Sequence, residues 1–330
     1  RVSREIGVNL HLLAGQSIND GDKSRQFDGY YENLTSGITD MLSESRILET
    51  KKVTRQALKQ LSTEYPLAFT LEPNLEVDYR GGIFSTNSWG FRDDEYSIEK
   101  QSGVHRIAIM GSSDELGQAI NDEYVFDKLL EKKLTMNGHG HVEIINFSMP
   151  GSSVIPSVYR AEYVNEQFSP DTFLFFIHAP EWNRLLIRLS MIISLENDLP
   201  VKLDSLLSDL KIDRGGNRTE IYEELKPHQE RIVEFALWEL IELKKIEKEI
   251  LVVLMPNSSK KLKRDILDAG QILNENGIQT ISLDGIYEGK AKKEIIVSEA
   301  DHHPNESAHE LIAEKLFEAI VNQEISEGWK

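Results

Sequence analysis

The chain has 330 residues, 40% of them hydrophobic and 28% charged, with 55 acidic against 37 basic side chains and a formal net charge of −18. That balance argues against nucleic acid or an anionic membrane surface as the main partner, and no apolar run is long enough to span a bilayer. Cysteine is absent, which removes disulfides, thiolate catalysis and cysteine-held metal.

Residues 1 to about 65 are polar and carry a helical pattern. Ile38, Met41, Leu42, Ile47, Leu48, Val53, Leu58 and Leu61 recur at three- and four-residue steps. This predicts a helical arm, over 1–80, packed on a main domain at 81–330. From residue 66 the composition shifts. Pro66, Pro73, Gly81 and Gly82 mark turns, and Thr86 to Tyr96 is a dense polar and aromatic cluster. That cluster reads as a latch over the strand that follows it.

Beyond residue 104 the pattern is regular. Strands are expected at Arg106–Met110, Val142–Phe147, Asp171–Ile177, Glu249–Met255 and Gln279–Leu283. Helices are expected at Tyr124–Leu134, Val158–Phe168, Lys260–Asn274 and Glu306–Val321. Five short apolar strands alternating with helices predict a parallel sheet in a three-layer α/β/α domain. The connection between the third and fourth strands is too long for a plain crossover. Residues 183–230 are therefore read as a helical insertion: a substrate lid, an oligomer contact or decoration. The loop Asp213–Arg218 follows its first helices, and Arg231–Lys248 is the expected crossover helix.

Two stretches carry chemistry. In His105-Arg-Ile-Ala-Ile-Met-Gly-Ser-Ser-Asp-Glu-Leu-Gly117 an apolar strand breaks at Gly111 into small polar residues. Such a turn lifts a hydroxyl out of the carboxyl edge of a sheet, and free N–H groups of a following helix start can hold an oxyanion. The same pattern also binds phosphate, but this turn has no lysine. Near the other end, Glu299-Ala-Asp-His-His-Pro-Asn305 places Asp301 and His303 two apart, on a loop before the last helix. Loops at the carboxyl edge share one crevice, so Ser113 and His303 are expected to meet there. A serine needs a base, and the histidine needs a carboxylate to fix its tautomer. Asp301 is the nearest one. His302 is a rival base, with Glu299 as its carboxylate. Asn305 is a candidate helix cap, and His309 is read as a capping or packing residue. The histidine spacing fits no metal motif, so neither metal nor other cofactor is expected.

With these motifs in place, the chain resembles the SGNH (GDSL-like) hydrolase family. It is closest to the branch in which Asn-Ser-x-Gly-Phe-Arg precedes the first block, here Asn87–Arg92. The Gly-Asp-Ser block matches Gly111-Ser112-Ser113, the second-block glycine matches Gly151, and the last block matches Asp301 to Asn305. The resemblance implies catalysis by Ser113, His303 and Asp301, with the N–H groups of Ser113 and Gly151 as oxyanion donors. Ser112 stands where the family has aspartate. The third-block asparagine falls on Pro180, which leaves His178 or Asn183 as the third donor. The implied activity is ester hydrolysis or O-acyl transfer, with acetyl as the acyl group and a glycan among the substrates. The alternative is a catalytically silent module that binds a glycan or protein partner. Family habit and a start at Arg1 instead of Met lead us to expect an extracytoplasmic bacterial protein whose signal peptide or anchor preceded residue 1.

Overall fold

The computed structural model describes residues 52–53, 58–61, 65–79, 82–138, 141–178, 181–195, 198–255 and 260–322. Most of the helical pattern expected before residue 65 lies outside them. Where the expected arm is described beyond residue 57 it is extended, not helical. β1 (Lys59–Gln60) pairs antiparallel with β2 (Phe69–Thr70), and β3 (Glu76–Tyr79) with β4 (Gly82–Ser85). Val77 and Tyr79 are buried while Glu76 and Asp78 are exposed, the alternation of a half-covered strand.

The main sheet has five parallel strands: β5 (Val104–Met110), β6 (His141–Asn146), β7 (Thr172–Ile177), β8 (Glu249–Leu254) and β9 (Gln279–Ser282). Their order is β6-β5-β7-β8-β9, so the chain reverses direction of growth beside the first strand. The expected strands agree with these to within two residues at each end. Every residue of β7 is buried, because helices cover both faces and leave no side for polar side chains.

Alternate side chains feed two cores. One face gathers Ala108, Met110, Phe173, Phe175 and Val252 beneath α2 (Val154–Phe168) and α6 (Gln229–Glu242), and it also takes in Val77, Phe84 and Phe91. The other gathers Ile107, Ile109, Leu174, Phe176 and Val253 beneath α1 (Phe126–Met136) and α8 (Glu306–Asn322). Each of these side chains larger than alanine contributes about 1.5–3 kcal/mol when fully buried.

The long connection holds α3 (Glu181–Leu195), α4 (Val201–Asp209) and α5 (Arg218–Leu225) before α6. Helix α5 falls within the expected helical insertion but was not itself located there, although its start signal stands in the sequence. Asn217 Oδ1 accepts from the Thr219 and Glu220 N–H groups at 2.9 and 3.2 Å, and Glu220 accepts from Asn217 N–H at 2.7 Å. This is a capping box with asparagine in the serine position. The crossover helix ends at Glu242, earlier than expected, and a 3-10 turn, Leu243–Ile246, leads into β8. Helix α7 (Lys260–Glu275) then joins β8 to β9.

Candidate active site

The nucleophile turn begins where β5 ends. No α-helix follows at once; residues 113–119 run through consecutive turns, and α1 starts only at Phe126. The turns are closed by Leu116 N–H to Ser112 O at 3.0 Å and Gly117 N–H to Asp114 O at 3.2 Å. Gly111 is needed for close approach: a Cβ there would lie 2.6 Å from Cβ and Cγ of Glu115. Glu115 is 1% exposed. Its Oε2 accepts from Ser112 N–H at 2.8 Å and lies 3.2 Å from Ser112 Oγ. The chain thus folds back on its own buried carboxylate directly behind Ser113.

Two further groups brace this turn. Arg92, buried, donates Nη1–H to Leu116 O at 3.0 Å and to Gly117 O, Nη2–H to Ile120 O at 2.6 Å, and Nε–H to Asp122 at 2.7 Å. The Thr86–Tyr96 cluster is therefore a latch, as read from sequence, and its guanidinium grips carbonyls of the turn. Asn146, at the end of β6, donates Nδ2–H to Glu115 O at 2.9 Å and accepts at Oδ1 from Ser148 N–H at 3.0 Å. One side chain so ties the first turn to the second.

The second turn carries Gly151, whose φ is +74°, a backbone conformation that a Cβ disfavours. Met149 N–H donates to Gly111 O at 3.2 Å, which keeps this turn against the first. Neither Ser113 N–H nor Gly151 N–H donates to another described residue. Below the turn sits Arg160, 1% exposed, with Nη1–H donating to Phe147 O at 2.9 Å and Nη2 3.3 Å from Ser152 Oγ. Burial pushes this guanidinium down to about 9.

Asp301 and His303 do not lie on a loop. They belong to β11 (Asp301–Pro304), paired antiparallel with β10 (Ile296–Ser298). Strand geometry points residues two apart to the same side. Asp301 and His303 are buried at 4% and 5% exposure, while His302 is exposed between them. His303 Nε2 lies 3.0 Å from Ser113 Oγ, and His303 Nδ1 lies 2.5 Å from Asp301 Oδ1. An ionised carboxylate only accepts, so Nδ1 carries the proton and Nε2 faces the serine hydroxyl with its lone pair. His302 Nε2 instead lies 3.3 Å from Lys292 Nζ, and Glu299 is exposed. Asn305 caps α8, accepting from Ala308 N–H at 3.1 Å.

His309 packs. It is fully buried, stacks on Phe126 at 5.9 Å and accepts Phe126 N–H at Nδ1. Burial first, then the Arg92 guanidinium, pulls it down to about 3, so the ring is neutral at neutral pH.

His178 follows β7 directly. Its Nε2 lies 2.9 Å from Glu115 Oε1 and its Nδ1 3.4 Å from Asp114 Oδ2, so both ring nitrogens face carboxylates. Pro180 and the Asn183 side chain lie outside the described residues. The sequence reading did not single out Asp114, Glu115, Asn146 or Arg160. The available signal was two adjacent acids inside a turn of otherwise small residues.

No protein-family model matches the sequence, and no curated protein sequence does. Among solved structures, the chain is similar to a lipase/acylhydrolase from Enterococcus faecalis, at 14% identity over 66% of this chain and 96% of that one, with a TM-score of 0.41. It is similar to a psychrotrophic esterase from Pseudoalteromonas sp., at 16% identity over 67% and 99% with a TM-score of 0.41. A Clostridium thermocellum family 3 carbohydrate esterase is similar at 11% identity over 68% and 98%, with a TM-score of 0.41. The strand order β6-β5-β7-β8-β9, the helices on both faces, the serine after β5 and the Asp-x-His ahead of the last helix make this chain a three-layer α/β/α fold, the arrangement that its sequence resemblance to the SGNH family implies.

Proposed function

We propose that the chain is an SGNH-type serine esterase or O-acyltransferase, acting on short acyl esters, acetyl above all, with a glycan among its substrates. The observation that carries this reading is the pair of distances at His303: 3.0 Å to Ser113 Oγ and 2.5 Å to Asp301 Oδ1. A hydroxyl, an imidazole and a buried carboxylate, 190 positions apart at the extremes, meet within hydrogen-bond distance.

Ser113 Oγ attacks the ester carbonyl as its proton passes to His303 Nε2, and Asp301 holds the imidazolium. The Ser113 and Gly151 N–H groups, which have no partner among the described residues, receive the oxyanion. His303 then returns the proton to the leaving alcohol. Water releases the acyl group in a hydrolase; a sugar hydroxyl takes it in a transferase. His178 is held by Glu115 and Asp114, which sets it in the turn's framework instead of the oxyanion site.

A second reading is a silent module that binds a glycan or protein in the same cleft, and that engagement of His178 is what favours it. p-Nitrophenyl acetate separates the two. Release by the wild-type chain that Ser113→Ala loses, with covalent fluorophosphonate labelling of Ser113, is the expected result. Equal background release from both, with no labelling, selects the silent module.

A further inference from the structure

Five side chains alternate between carboxylate and imidazole across the site. Glu115 Oε1 lies 2.9 Å from His178 Nε2, and His178 Nδ1 lies 3.4 Å from Asp114 Oδ2. Asp114 Oδ1 then lies 3.8 Å from His303 Nε2, whose Nδ1 is 2.5 Å from Asp301. His303 therefore has a carboxylate near each ring nitrogen, one of them contributed by the residue directly after the nucleophile. We propose that Asp114 is a second carboxylate of the acyl-transfer site, pairing with His303 Nε2–H while that nitrogen holds the serine's proton, and that His178, anchored by Glu115, is the residue that positions it. The proposal rests on the reading of Ser113 as nucleophile and His303 as base.

In the resting site Nε2 has no hydrogen to offer, and 3.8 Å exceeds hydrogen-bond length. Attack changes this. The Oγ–carbon bond forms, the carbonyl π pair moves onto oxygen, and the Oγ proton moves to Nε2. Nε2–H is then part of a cation, and Asp114 is the anion at its outer side. When the bond to the leaving alcohol breaks, the same proton goes to the leaving oxygen and the pair dissolves. Asp114 stabilises only the charged stage, which is where an interaction accelerates the reaction. Its position is not left to a flexible side chain. Glu115 is 1% exposed and is fixed by Ser112 N–H, so it holds His178 from behind, and with a proton on both ring nitrogens His178 in turn holds Asp114. Asp114 itself is 21% exposed, so water screens the pair in part. The arrangement also accounts for a histidine at the end of β7, where the family resemblance asks for a different block: it braces the nucleophile turn from the neighbouring strand.

The test uses the full chain with p-nitrophenyl acetate, a fluorophosphonate labelling rate and a thermal melt for each variant. Asp114→Asn is expected to lower kcat by about ten- to a hundredfold, with KM within about twofold of wild type and labelling slowed in proportion. Asp114→Glu recovers part of the rate. His178→Asn lowers kcat as well, and the Asp114→Asn, His178→Asn double variant is no worse than Asp114→Asn alone, because His178 acts through Asp114. If Asp114→Asn melts early, Asp114→Ser takes its place with the same expectation. Wild-type kcat in Asp114→Asn or Asp114→Ser, beside an inactive Ser113→Ala, overturns the proposal and leaves the esterase reading standing. Losses that simply add in the double variant and track the melting midpoint also overturn it, since they describe a purely structural tie. Equal release from wild type and Ser113→Ala overturns the underlying reading itself.

Discussion

The pleat that turns His303 toward Ser113 turns His302 toward solvent and Lys292. Replacing His303 by Ala is therefore expected to remove about a thousandfold or more of the ester hydrolysis, and His302→Ala to leave kcat within about twofold; initial rates with p-nitrophenyl acetate decide it. His309 supports a different prediction. Its folded value, about 3, lies below the ordinary 6.5 because burial disfavours the imidazolium. Between those two pH values the unfolded chain binds more protons at this residue than the folded one. Stability from this group is therefore complete above 6.5 and declines as pH falls toward 3, by at most about 1.4 kcal/mol per pH unit. His309→Asn keeps an acceptor for Phe126 N–H and removes the titration. Wild type is expected to gain stability over the variant as pH rises from 4 to 6.5, as read from urea melts; a constant difference refutes the assignment. At this scale Ser113, Asp301 and His303 were legible because their spacing follows a strand break and a helix start. Glu115 was not. Its partner His178 is 63 positions away, and the two adjacent acids of the turn do not by themselves say which one is buried.

The latch and the nucleophile turn are linked through Arg92. Its planar fork meets carbonyls of residues 116, 117 and 120 along with Asp122, a set that an ammonium group cannot span. Arg92→Lys is expected to cost about 2–3 kcal/mol and to lower kcat, since the turn loses its grip on Ser113. A calorimetric melt and the ester assay read the two effects. Strands β5 to β9 were legible as apolar runs because both faces of that sheet are covered. The hairpin of β10 and β11 was not. Asp301-His-His-Pro304 has neither β-branched residues nor a hydrophobic alternation, and its pairing comes from the facing segment. Strands β1 and β2 are two residues each, too short to leave a period, and α5 was hidden behind the Gly215-Gly216-Asn217 neighbourhood that reads as loop.

The molecule divides its chemistry unequally. Ser113 belongs to the central sheet, whose strands β5 and β7 share one apolar cluster with Val77, Phe84 and Phe91. His303 belongs to a two-stranded hairpin outside that sheet, reached through residues 288–294, every one of them exposed. The hairpin's apolar anchors are Ile296 and Val297, fewer than those of the sheet, so the hairpin is expected to open first. A gently warmed sample should therefore stop turning over ester while its far-ultraviolet ellipticity is still flat, and should regain turnover on cooling. Loss of both signals together would mean that the hairpin is as firmly built in as the sheet. If they part, the ceiling on working temperature is set by a few residues beside β11, and a single well-placed crosslink there would raise it without touching the body of the protein.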